Sequence, residues 1–200
     1  MAALPRLVAT ALFCSMLGLG AVAQEASPSI AELTALAEGG DSAAQFNLGN
    51  SYLYGKGTQV DEFAAANWYR KAAQQGNHNA QYNLAIMYMQ GKGVLTDMRE
   101  AVNWFERAAN LGDAQSQFTL GTFFANGRVV PQDPVRAHMW FTLAASAGHK
   151  AAAANLVLYQ EMLSDSQIIE AQDAANQWVE KFNAMHQGSP TISENEVARP

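Results

Sequence analysis

Apolar positions along this chain fall in short helical stripes that return every 36 residues. In the segment 40–75, Ala44, Leu48 and Tyr52 stand four apart, which draws one face of a helix. Further on, Ala65, Trp68, Tyr69 and Ala72 fall at i, i+3, i+4 and i+7, a second apolar stripe. Gly55-Lys56-Gly57 separates the two stripes and predicts a break. Asp41 and Asp61 stand just before each stripe, where a carboxylate caps the free amides of a first turn. Gly76 follows the second stripe, at the C′ position where glycine adopts the left-handed conformation cheaply. The predicted unit is helix, loop, helix, tight turn, with helices of about 14 residues, or roughly 21 Å.

The unit repeats over 76–111 with Asn77, Leu84, Tyr88, Gly91-Lys92-Gly93, Asp97, Trp104 and Phe105. It repeats again over 112–147 with Asp113, Leu120, Phe124, Gly127, Asp133, Trp140 and Phe141. Pro134 follows Asp133 directly, a place where a helix start accepts proline. A fourth, degenerate copy is expected over 148–186. Ala151 to Ala154 and Leu156 keep its first helix, and Ser164-Asp165 opens a longer second one. Trp178 lies two residues beyond the expected register, and added charge marks the outer face of a cap. A capping helix is expected within 24–39, on Ile30, Leu33, Leu36 and Ala37, and a disordered tail over 187–200. Neither helix of a unit covers its own apolar stripe, so the units must stack on one another.

The recurring motifs are Ala44-Gln45-Phe46-Asn47-Leu48-Gly49, Gly55-Lys56-Gly57, Asp61 and Ala65-x-x-Trp68-Tyr69-x-x-Ala72-Ala73. They return as Ala80-Gln81-Tyr82-Asn83-Leu84, Gly91-Lys92-Gly93, Asp97 and Ala101-x-x-Trp104-Phe105. In these residues the chain resembles the Sel1-like repeat proteins, cousins of the tetratricopeptide repeats, from residue 40 to about residue 182. The third copy departs with Ser116 and with Gly127-Arg128-Val129. The resemblance implies an all-α, right-handed α-α superhelix, a solenoid of about three repeats with capping helices at both ends. It implies a non-enzymatic adaptor in protein complexes, since some exported bacterial members modulate membrane sensor systems. The subgroup with cysteine-stapled repeats is excluded, because Cys14 is the only cysteine.

Composition adds a compartment. The formal charge is −6 at pH 7, and no Lys/Arg cluster provides the footprint of a nucleic-acid binder. Met1 to Arg6 are followed by the uncharged apolar run 7–20 and by Ala21-Val22-Ala23. This is the layout of a secretory signal peptide over 1–23, cut after Ala23, which implies a periplasmic or secreted protein without stable membrane insertion. The alternative is a retained anchor over 7–23.

Candidate chemistry is sparse. Gly-Lys-Gly lacks the spacing and the strand-to-helix context of a phosphate loop. His78, His138, His149 and His186 form no metal-ligand pair and are expected at surface or turn positions. Asp41, Asp61, Asp97, Asp113 and Asp133 are all accounted for as caps. No nucleophile and base stand in a recognisable relation, and no cofactor is implied. Trp68, Trp104 and Trp140 share the alanine stripe and are expected in the core. What remains is the side of each first helix opposite its inward stripe, which lines the concave groove in tetratricopeptide relatives. The candidate partner-binding residues there are Asn50, Tyr54, Ile86, Met89, Gln90, Thr122 and Asn126. They would suit a protein or peptide partner. A carbohydrate- or peptidoglycan-binding module is the alternative, and a hydrolase with a site in the groove a third reading.

Overall fold

In a computed structural model, residues 28–186 are described; the leader and tail expected from the sequence lie outside them. The described residues form α1 (Ile30–Glu38), α2 (Ser42–Tyr54), α3 (Glu62–Gln74), α4 (His78–Gln90), α5 (Met98–Asn110), α6 (Ala114–Asn126), α7 (Pro134–Ser146), α8 (Lys150–Met162) and α9 (Asp165–His186). Helices α2, α4 and α6 form one layer, here called A, and α3, α5 and α7 a second, called B. Each A helix packs on the B helix that follows it and on the helix before it, which for α2 is α1. The result is an all-α solenoid of three tandem units with flanking helices.

Local chemistry explains the boundaries. Asp41, Asp61, Asn77, Asp97, Asp113 and Asp133 are N-caps, each accepting from a first-turn amide of its helix. Gly55, Gly91 and Gly127 end the A helices at φ between 63° and 69°. Three buried glutamines add a bond that joins neighbouring units. Gln45 Nε2 donates to Ala37 O at 3.0 Å, Gln81 to Ala73 O at 2.9 Å and Gln117 to Ala109 O at 3.1 Å. Each adds a second hydrogen bond to a carbonyl at the C-terminus of the preceding helix, which already accepts the amide of Gly40, Gly76 or Gly112.

The core runs through the stack. Leu48, Leu84 and Leu120 are completely buried, as are Tyr69 and Phe105, with Phe141 nearly so. Phe105 lies edge-on to Tyr82 at 5.7 Å and to Phe123 at 5.8 Å, and so ties the second unit to the third. Such aromatic pairs add about 0.5–1.5 kcal/mol each beyond the area they bury. Trp104 and Trp140 are buried, as the stripe predicts. Trp68 is only half-buried; it packs on the first cluster, with Lys71 Nζ 3.9 Å above its ring.

Two expectations change. His138 is not at the surface: it is 1% exposed, in register with the buried Ala66 and Val102. Its Nε2 has no hydrogen-bond partner among the described residues. The fourth unit is also not a repeat hairpin, because α9 packs against α7 rather than back along α8. The reason lies in two positions. A Cβ added to Gly49 or Gly121 would come within 2.6 Å of the Tyr69 or Phe141 ring, and the second unit has the small Ala85 at this register, so the sites are kept small for the ring of the next helix. In α8 the same register holds Val157, and the ring's own register in α9 holds Gln177. With lock and key both lost, α9 turns onto the outer side. There Trp178 Nε1 donates to Asn110 Oδ1 at 3.0 Å, and Phe182 lies over Gly112. Val157, Leu158 and Met162 of α8 are left 58%, 59% and 70% exposed.

Candidate functional site

The seven sequence-predicted residues fall on one side of the A layer in two rows. Tyr54, Gln90 and Asn126 end their helices and are exposed, with Tyr54 62% accessible. Asn50, Ile86 and Thr122 are half-buried one turn earlier, and Met89 is half-buried beside Gln90. Part of this second row already serves the fold. Asn50 Oδ1 accepts the Tyr69 hydroxyl at 2.7 Å, and the Thr122 hydroxyl donates to Phe118 O at 3.0 Å. Ile86 and Met89 rest on the core. Burial pushes the Tyr69 hydroxyl well above the usual phenol range, an effect partly offset by Asn83 on the next A helix. This hydroxyl therefore stays a proton donor and holds Asn50 in one orientation on the face.

Both rows continue beyond the third unit, which the sequence reading did not include. One further step of 36 residues leads from Thr122 to Leu158 and from Asn126 to Met162. The signal was present in the period itself, but treating the fourth copy as a cap hid it. The face is thus polar at its Asn50 and Tyr54 end and apolar at its Leu158 and Met162 end.

Near the polar end a cleft of about 530 Å³ is lined by Ile30 and Leu33 of α1, Asn47, Asn50 and Ser51 of α2, and Lys56. A second cleft, of about 480 Å³, lies on the opposite side among α5, α7 and α9, with Asp133, Arg136, Met139 and Trp140 in its wall. Glu106 and Glu170 also line it, and three of its other groups have structural tasks. Asp133 caps α7 and pairs with Arg136 at 3.3 Å, and Trp140 belongs to the core. Among the described residues no group of three or more His, Cys, Asp or Glu is placed to hold a metal, and no helix is long and apolar enough to cross a membrane.

Comparison with known proteins follows the same line. A Sel1 repeat model matches residues 42–77, 78–113 and 114–149, together more than half of the chain. A protective antigen present in uropathogenic Escherichia coli strains, whose crystal structure displays an SLR fold, is 31% identical with a TM-score of 0.68. That match covers 85% of this chain and 38% of the antigen, so the chain spans well under half of the antigen's length. A Sel1 repeat protein from Oxalobacter formigenes is 37% identical with a TM-score of 0.60, over 64% of this chain and 96% of that one. No curated protein gives a significant match. Stacked-repeat folds of this kind present extended surfaces for binding other proteins. On the three matched repeats and on the caps, glutamines and rings that build them, the chain belongs to the Sel1 repeat family.

Proposed function

We propose that this protein is an exported, non-enzymatic adaptor that binds a protein or peptide partner along its A-layer face and so modulates an envelope signalling or assembly complex. The observation that carries the reading is the pair of rows from Asn50 to Leu158 and from Tyr54 to Met162. The recurring positions of the repeat are absorbed by caps, turns and core. These rows vary from unit to unit, and their exposed members hold nothing together. The leader-like residues 1–23 support export, and similarity to a protective antigen is in keeping with it.

The test is affinity capture from envelope extract with wild type, Tyr54→Ala, Gln90→Arg and Met89→Glu, each shown by circular dichroism to be folded. Loss of the same partner from all three variants is expected. Recovery of an unchanged partner set by all three would remove the face from the reading. The mass of the mature protein tests export separately: loss of residues 1–23 is expected, and an intact N-terminus favours the anchor.

A further inference from the structure

Charge is distributed unevenly over the two layers. The segments Ser42–Tyr54, His78–Gln90 and Ala114–Asn126, the three A helices, contain no Asp, Glu, Lys or Arg. Helical acids lie instead on B helices, as with Glu62, Glu100 and Glu106, on α9, and on the flanking helices α1 (Glu32, Glu38) and α8 (Glu161). The loop after each A helix carries a cation at the same register: Lys56, Lys92 and Arg128. All three are exposed, and none has a salt-bridge partner among the described residues. The side taken by Lys56 follows from two contacts, and Lys92 and Arg128 stand at its register in the next two units. Lys56 shares the cleft of Asn47 and Asn50, and its Nζ lies 5.6 Å from the centre of the Tyr54 ring. The aspartate of the same loop turns the other way: Asp61 and Asp97 bond the first-turn amides of B helices, and Asp133 lines the cleft beside α9. A chain of net charge −6 thus borders one uncharged face with three unpaired cations.

From this segregation we infer that the A-layer face receives an acidic, extended segment of a partner protein, with carboxylates opposite Lys56, Lys92 and Arg128 and apolar side chains over Leu158 and Met162. The inference rests on the adaptor reading above. Neighbouring helices of a stack lie on the order of 10 Å apart, which sets the scale of the step from one cation to the next. A segment in the extended polyproline II conformation advances about 3.1 Å per residue with three residues per turn, so every third side chain faces the same way and meets the next cation. The segment's acidity gives the selectivity along α2, α4 and α6, which carry no anion to repel it. Exposed ion pairs are individually weak. Three acting together are expected to change affinity by tenfold or more at low salt and to lose that advantage as salt is raised.

The experiment uses the purified full chain and a fluorescein-labelled synthetic peptide of about twelve residues, long enough to cross α2, α4, α6 and α8. The peptide carries Glu at every third position and Leu near one end, and a second peptide has Gln in place of each Glu. Fluorescence anisotropy is expected to show the Glu peptide binding at least about tenfold tighter at low salt. The triple variant Lys56→Glu, Lys92→Glu, Arg128→Glu is expected to abolish that difference. A control with the same charge change on B helices and α9 (Lys71→Glu, Arg99→Glu, Lys181→Glu) is expected to keep it. Equal binding of the two peptides, no binding of either, or equal loss in the control overturns the inference. If the partner capture described above is lost in the Tyr54, Met89 and Gln90 variants yet survives the triple reversal, the adaptor reading stands and the acidic segment falls. If those three variants leave capture unchanged, the adaptor reading itself has failed.

Discussion

Replacing Gly93 by alanine tests how tightly the units are joined, and Gly76→Ala provides the comparison. Both glycines occupy the left-handed region, at φ +65° and +86°. Alanine at either therefore carries a backbone cost of about 1–2 kcal/mol. At Gly76 that is all, since nothing lies within 4 Å of an added Cβ. At Gly93 the Cβ falls inside van der Waals contact with the carbonyl of Glu62 and 2.8 Å from the amide nitrogen of Phe63. These are backbone atoms at the start of α3, in the preceding unit, and they cannot rotate away. The second loop must lift from the first unit, and overpacking of this kind costs about 1–3 kcal/mol more. The expected losses are about 2–5 kcal/mol for Gly93→Ala and about 1–2 kcal/mol for Gly76→Ala. At roughly 2–4 °C per kcal/mol for a chain of this size, the two should differ by several degrees in Tm. Gly57→Ala should fall between them, because its obstacle is the Ile30 side chain at 2.8 Å, which can move. Thermal and urea unfolding followed by circular dichroism provide the measurement. Equal losses at Gly93 and Gly76 would show that the close inter-unit approach carries no energy and that the argument is wrong.

Two further changes probe the core. Trp104→Ala should cost about 3–5 kcal/mol, because the ring is 8% exposed and Arg107 lies 4.7 Å above it; unchanged urea unfolding would mean that the ring is not part of the core. His138 should make stability depend on pH. Burial lowers its pKa below the usual histidine value, so between that lowered pKa and about 6.5 the unfolded chain binds more protons than the folded one. The stability is therefore present above about pH 6.5 and is lost as pH falls through the folded pKa. His138→Val, which restores the residue type of Val102, should flatten this slope. An unchanged slope between about pH 7.5 and pH 5 in paired urea titrations would assign the dependence to other groups.

Much of the fold was legible because its determinants are local. A cap needs only an aspartate and the amides two or three residues on, and a left-handed turn needs only a glycine, so Asp61 and Gly76 could be read directly. The candidate face was legible in part. The period placed Tyr54, Gln90 and Asn126 on one side, and the structure leaves them exposed. It did not reveal that Asn50 is held by Tyr69, nineteen residues away in the chain. Nor did it reveal that the rows run on to Leu158 and Met162, because this requires α9 to leave α8 uncovered. The cations of the three loops were visible as residues, but their common side was not.

The sequence by itself therefore determined the units: their length, helices, caps, turns and stacking, all set by interactions within a few residues and by apolar stripes that no single unit can cover. Only the tertiary structure decided what depends on neighbours distant along the chain. It buried His138, whose register is an interior one. It sent α9 onto α7, because Val157 replaces the small residue (Gly49, Ala85, Gly121) and Gln177 the ring (Tyr69, Phe105, Phe141) found at these registers in the other hairpins. It also separated the loop cations from the aspartate caps onto opposite sides, since the caps are drawn to the amides of the B helices while the cations remain free on the A side.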